Sequence, residues 1–165
     1  MSDKLKQVIN NQAKQQKDNI ALEQTEDIVQ LVGFIIGDEE YAVPILAIQE
    51  IIKPFEWTRV PQVPPYVLGV FNLRGSVIPL VDLRLKFGLQ AKKHTDETRF
   101  LVLKQGDEVA GFVIDRLTMA IRLKKESIGP APDTIGDDSM IEGVGKEEDR
   151  IITILKVDKL LKRDF

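Results

Sequence analysis

A chain of 165 residues, 43% apolar and 30% charged, is long enough for one domain or for two small units tightly joined. Its formal net charge of −3, with both signs scattered along the sequence, argues against general nucleic-acid binding, which calls for a basic stripe. The lack of cysteine excludes disulfides and thiolate metal sites, and no run approaches the ~18 apolar residues of a membrane helix, so a cytoplasmic protein is the default expectation.

Residues 1–27 are rich in Gln, Asn and Lys, with sparse apolar positions at Leu5, Val8, Ile9, Ile20 and Leu22. They read as a flexible N-terminal tail and lack the apolar core of a signal peptide. The folded part, residues 28–165, opens with the strand-like IVQLVGFII and the turn GDEE. The next strand, YAVPI, lies at an edge or ends at Pro44, which has no N–H to give to a ladder. LAIQEIIK is an apolar edge or a brief helical turn, halted by Pro54. FEWTRVPQVPPYV is a stiff extended connection whose Phe55 and Trp57 either plug a barrel end or face a partner.

Strand-like runs then follow in VLGVFNL, SVIPLVDL, RFLVLK, EVAGFVID and LTMAIRL. QGD reads as a hairpin, LRLKFG as a turn, and AKKHTDET as a surface loop holding the single His94. The long stretch ESIGPAPDTIGDDSMIEGVGKEEDR, rich in Gly, Pro and Asp, reads mostly as loop. RIITILKV is a clear strand, and DKLLKRDF a short closing helix with Asp158 as its N-cap. Eight to ten short strands without a βαβ rhythm predict an all-β fold of barrels or a sandwich.

Catalytic signals are absent from the sequence. GVGK lacks the earlier glycine and the following Ser or Thr of a phosphate loop. Asp137, Asp138 and Glu142 lack the spacing of a calcium loop. No Gly-x-Ser-x-Gly elbow occurs, and no triad can be built around one histidine. The expectation is therefore no enzyme, no catalytic residue, no cofactor and no metal. A small barrel binding peptide or nucleic acid stays open as an alternative, although aromatics make up only 6% of the chain.

The stretches GDEEYAVPILAIQEI, TRVPQVPPYVLGVFNLRGSVIPLVDLRLKFGL, VAGFVIDRLTMAIRL and GVGKEEDRIITILKVDKLL together resemble the CheW family of chemotaxis coupling proteins. The resemblance runs from Ile28 to about Leu161, in the family's order and spacing, and the GVFNLRGSVIPLVDLR core carries most of its specificity. It implies two SH3-like, five-stranded β-barrel subdomains packed together, with short helices. It also implies a non-catalytic adaptor that joins the regulatory domain of the histidine kinase CheA to the cytoplasmic tips of transmembrane chemoreceptors. Such an adaptor would be cytoplasmic, associated with receptor arrays at the inner membrane, and would not insert into the bilayer. Kinase binding is expected at Val32, Ile45, Ile48 and Glu50, near an edge formed by the first strands. Receptor binding is expected at Arg74, Gly111 and Leu117. Gly111 would let a helical partner approach its bare backbone, or would merely serve packing.

Arg74 poses a physical problem, because it stands between two apolar arms and a guanidinium is costly to bury alone. We expect it to lie between the barrels with its fork held by a carboxylate, Glu50 being the best candidate. The competing reading is an exposed arginine at a hairpin turn. Two departures from the family pattern are visible: Arg99, at the rim of the receptor groove, stands where a strand residue is usually apolar, and the loop ahead of the final strand reads GKEEDR rather than a tighter turn.

Overall fold

The computed structural model describes residues 27–130 and 140–162, so the expected tail lies almost wholly outside the described residues. Ten strands are present: β1 (Ile28–Ile36), β2 (Glu39–Pro44), β3 (Ile48–Ile52), β4 (Val67–Leu73), β5 (Ser76–Asp82), β6 (Arg99–Gln105), β7 (Glu108–Ile114), β8 (Arg116–Lys124), β9 (Ile141–Glu147) and β10 (Arg150–Leu155). Two short helices, α1 (Leu83–Lys86) and α2 (Val157–Leu161), follow β5 and β10.

The strands form two five-stranded sheets. A terminal sheet, built from both ends of the described chain, has the order β8-β1-β2-β10-β9, and a middle sheet has the order β3-β6-β7-β5-β4. In each, one inner pair is parallel (β2 with β10, β5 with β7) and every other pair is antiparallel. The two sheets therefore share one pattern, with β8, β9, β10, β1 and β2 matching β3, β4, β5, β6 and β7. Each is drawn toward closure by an isolated bridge, Thr58 to Val70 in the middle sheet and Gly129 to Val144 in the terminal one. Matching strands recur in chain order five strands apart, so the terminal sheet draws its strands from both ends of the described chain.

Both faces of the inner strands are covered, which explains their unbroken apolar runs. Leu31, Ala42, Ile121 and Ile154 form the inner core of the terminal sheet, and Phe71, Leu80, Phe100 and Val102 that of the middle sheet. A third and larger core, with Phe34, Leu101, Leu103, Phe112 and Leu160, joins the two sheets. Along β6 the side chains alternate between these cores, with Phe100 and Val102 inward and Leu101 and Leu103 toward the other sheet.

The prolines obey the same hydrogen-bond accounting. β2 is an inner strand and ends at Pro44, as one of the two sequence readings has it. Its parallel pairing with β10 covers only Glu40, Tyr41 and Ala42. Pro79 lies inside β5, but β7 joins only from Leu80 onward, so its missing N–H faces no partner strand there.

Three local expectations are corrected. The Gly-rich loop contains a strand, β9, because its glycines answer steric need: a Cβ on Gly145 would lie 2.4 Å from Leu123 Cδ1, and one on Gly143 2.7 Å from Ile128 Cγ2. LRLKFG is helical, with the Asp82 side chain accepting from the Arg84 N–H at 2.9 Å. Asp158 is not a cap; it lies in the first turn of α2, whose N-cap is Lys156. LAIQEIIK satisfies both of its readings, giving a 3-10 turn over Ile45–Ala47 and then β3.

Gly33 on β1 permits a further clamp. A Cβ there would lie 2.3 Å from Thr118 Oγ1 and 2.9 Å from Glu40 Oε2. With that space empty, Thr118 on β8 donates to Glu40 on β2 at 2.6 Å across β1. Arg150 on β10 donates to the same carboxylate through Nε at 2.9 Å and also through its terminal nitrogen. Burial pushes the Glu40 carboxyl up, but the hydrogen bonds from Arg150 and Thr118 outweigh it and hold it below the usual range. A depressed carboxyl adds stability that is present at neutral pH and is lost as pH falls through the folded-state pKa. Glu40→Gln is therefore expected to flatten the acid side of a plot of melting temperature against pH; an unchanged acid limb would refute this.

Candidate docking site

Arg74 and Gly75 form the two-residue turn between β4 and β5, both with positive φ (53° and 89°). That is the geometry of a type I′ hairpin turn, in which Gly is cheap and Arg is not. Asn72 Oδ1 steadies the turn by accepting from the Gly75 N–H at 2.9 Å. The arginine projects outward, donating from one terminal nitrogen to Glu50 Oε1 at 2.7 Å.

The expected partner is thus the observed one, but two parts of that expectation are corrected. The Arg74 side chain is 78% exposed, whereas Glu50 is 21% exposed, so the pair is not buried. Nor does it lie between the two units: β3 and β4 are the two end strands of the middle sheet, and the pair spans those ends. An exposed ion pair contributes little. Arg74→Ala is expected to change stability by less than about 1 kcal/mol in a denaturation experiment, and a larger loss would contradict this surface geometry.

The remaining expected residues separate. Ile45, 40% exposed, lies on the 3-10 turn, and Ile48 opens the end strand β3 while packing half-buried on the inter-sheet core. Val32 does not share that edge. It sits half-buried on β1, an inner strand, opposite Val43 and Ala120. Gly111 is buried, and a Cβ there would lie 2.7 Å from the Phe71 ring. Its missing side chain makes room for Phe71, which matches the packing role. Leu117 on β8 is half-buried against the inter-sheet core. Arg99, half-buried, folds back on the loop ahead of β6, donating to the Asp96 and Thr98 carbonyls at 2.8 and 2.7 Å.

Sequence reasoning missed Leu46, which at 96% exposed is the most exposed large apolar side chain among the described residues. The signal was present in Pro44 followed by three apolar residues, since a 3-10 turn cannot bury all of them. Ile45 and Leu46 on the turn and Ile51 on β3 leave exposed apolar side chains along this edge, suited to another protein rather than to a small charged ligand. Also missed was a tie between the sheets. Asp115, linking β7 to β8, accepts from the Gly37 N–H at 2.9 Å and from Arg84 at 2.6 Å.

Phe55 and Trp57 pack over the end of the middle sheet's core yet stay 41% and 39% exposed, so they serve the core with one side and leave the other open to a partner. Phe55 meets Phe71 edge-on at 5.3 Å between centroids, and Trp57 meets Phe100 at 6.2 Å. His94 is exposed as expected, and its ring closes the group at 5.7 Å from Trp57. Among the described residues no cluster of three or more His, Asp or Glu side chains gathers as metal ligands, and no helix is long and apolar enough to cross a membrane.

A family model described as "CheW-like domain" matches residues 30–165. A protein named chemotaxis protein CheW from Helicobacter pylori is 54% identical over 166 residues, covering 100% of both chains. Its namesake from Klebsiella aerogenes is 35% identical over 134 residues, covering 79% of this chain and 80% of that one. A crystal structure of the scaffolding protein TtCheW from Thermoanaerobacter tengcongensis superposes with a TM-score of 0.76 at 29% identity, covering 82% of this chain and 89% of that one.

Proposed function

The chain belongs to the CheW family, and on that premise we propose that it is a non-catalytic adaptor of bacterial chemotaxis. It couples the regulatory domain of the histidine kinase CheA to the cytoplasmic tips of chemoreceptors, working in the cytoplasm against the receptor-bearing membrane. The observation that carries this reading is the full-length match at 54% identity to a chemotaxis protein CheW. Residues 28–165 act as one CheW-like domain, each sheet serving as a small SH3-like barrel, a reading that the isolated bridge beside each sheet supports.

The kinase face is read onto Ile45, Ile48 and Glu50, with Leu46 added, on the turn and end strand of the middle sheet. The receptor face is read onto Arg74 and Leu117. Because Arg74 and Glu50 are ion-paired, the two faces adjoin at that pair. Leu46→Asp adds a charge to a fully presented apolar side chain. In a pull-down it is expected to lower kinase-domain binding at least about tenfold, near 1.4 kcal/mol, while leaving receptor co-sedimentation intact. Undiminished kinase binding would remove the turn from that face, and loss of both partners would point to a shared surface.

A further inference from the structure

The duplicated pattern makes one end of the two sheets directly comparable. In the middle sheet that end is covered twice, by side chains that keep an exposed outer side. The connection leaving β3 places Phe55 and Trp57 over Phe71 and Phe100, and the segment entering β6 lays His94 against Trp57 and Phe100. In the terminal sheet the matching strands are β8 and β1. Among its described residues the connection leaving β8 supplies Ile128 to the inner core, and its sequence carries no aromatic side chain. The result is a groove of about 520 Å³ opening over Val29, Leu31, Ile128, Pro130, Ile154 and Val157.

The segment entering β1, the counterpart of the His94 loop, is the stretch of chain just before Asp27. Asp27, where the described chain begins, lies beside this groove. The Asp27 carbonyl accepts from the Lys125 N–H at 2.8 Å, and Lys125 and Val29 both line the groove. Ile20 and Leu22 stand eight and six residues ahead of Ile28, within a reach of about 20–30 Å. His94 stands six residues ahead of Phe100. We propose that residues 19–26 of this chain occupy the groove, with Ile20 and Leu22 covering the terminal sheet's core as His94 and Trp57 cover the middle one. A tether this short holds the two apolar side chains at an effective concentration on the order of millimolar, so weak contacts suffice. The segment precedes the region matched by the family model, so the proposal goes beyond the adaptor reading and does not depend on it.

The chain has no cysteine, so Lys17→Cys takes a single nitroxide label without further change. The test is the loss of amide signal in the full-length protein. The amides of Ile128, Ile154 and Val157 are expected to lose most of their intensity, while Gly75 and Trp57 keep theirs. Adding I20D and L22D is expected to restore the groove signals, with the melting temperature of the remaining fold checked in parallel. Groove signals left intact in the labelled chain, or broadening that survives the two aspartates, would overturn the proposal and give the groove to another occupant.

Discussion

Replacing Asp115 with alanine is expected to destabilise the protein by about 3 kcal/mol, which corresponds to a melting temperature roughly 6–12 °C lower for a chain of this length. The Asp115 and Arg84 side chains are 15% and 18% exposed, close to the limit where removing one partner strands the other. Alanine would leave a mostly desolvated guanidinium on α1 and an unanswered N–H on Gly37 in the β1–β2 turn. These groups belong to different sheets, so the carboxylate fixes one sheet against the other at the crossing from β7 to β8. Arg84 keeps a second tie, donating through Nε to the Gln90 carbonyl at 2.9 Å, so Arg84→Ala also loosens the loop ahead of β6. In a double-mutant cycle the two alanine changes should fall short of additivity by 1 kcal/mol or more, as expected for groups in contact. Strict additivity would mean the pair contributes nothing as a pair. If the adaptor works by holding two partners at a set geometry, Asp115→Asn should weaken the three-component complex more than either binary one, because asparagine keeps an acceptor for Gly37 and removes the charge facing Arg84.

The same geometry shows what could be read from residues alone. Strand periodicity and turn chemistry located eight of the ten strands outright and left β3 open between an edge and a helical turn, because apolar runs bounded by Gly, Asp and Pro leave few other conformations. β9 escaped because Gly143 and Gly145 are loop signals in a sequence, while in the fold they are the points where Leu123 and Ile128 press on a strand. The partner of Arg74 was legible from chemistry, since a guanidinium fork selects a carboxylate. Its exposure was not. Both arms of the hairpin are indeed largely buried, but a type I′ turn carries its two central residues beyond the sheet. Val32 was misplaced for a topological reason: β1 is the first strand in the chain, yet β8 arrives from far along the sequence to cover its edge. Asp115 was invisible because its partners, Gly37 and Arg84, lie 78 and 31 residues away, and nothing local marks a carboxylate as a tie between sheets.

Gly111 gives the sharpest separation between a packing role and a docking role. It faces the middle sheet's inner core on β7, where Phe71 and Leu80 already occupy the space a side chain would need, at 2.7 and 3.4 Å from an added Cβ. Phe71 is itself held by Phe55 and Phe100, so it has little freedom to retreat. Gly111→Val is therefore expected to cost about 2–3 kcal/mol by overpacking, read as a lower denaturation midpoint with an unchanged slope. Shortening the obstructing ring should recover part of that loss, so the pair Gly111→Val and Phe71→Leu should be more stable than the sum of the single changes predicts. A docking glycine would behave in the opposite way. Gly111→Val would leave stability untouched and abolish receptor coupling, and Phe71→Leu would rescue nothing. Stability and coupling, measured together on the three variants, decide between a gap made for Phe71 and a bare backbone kept for a partner.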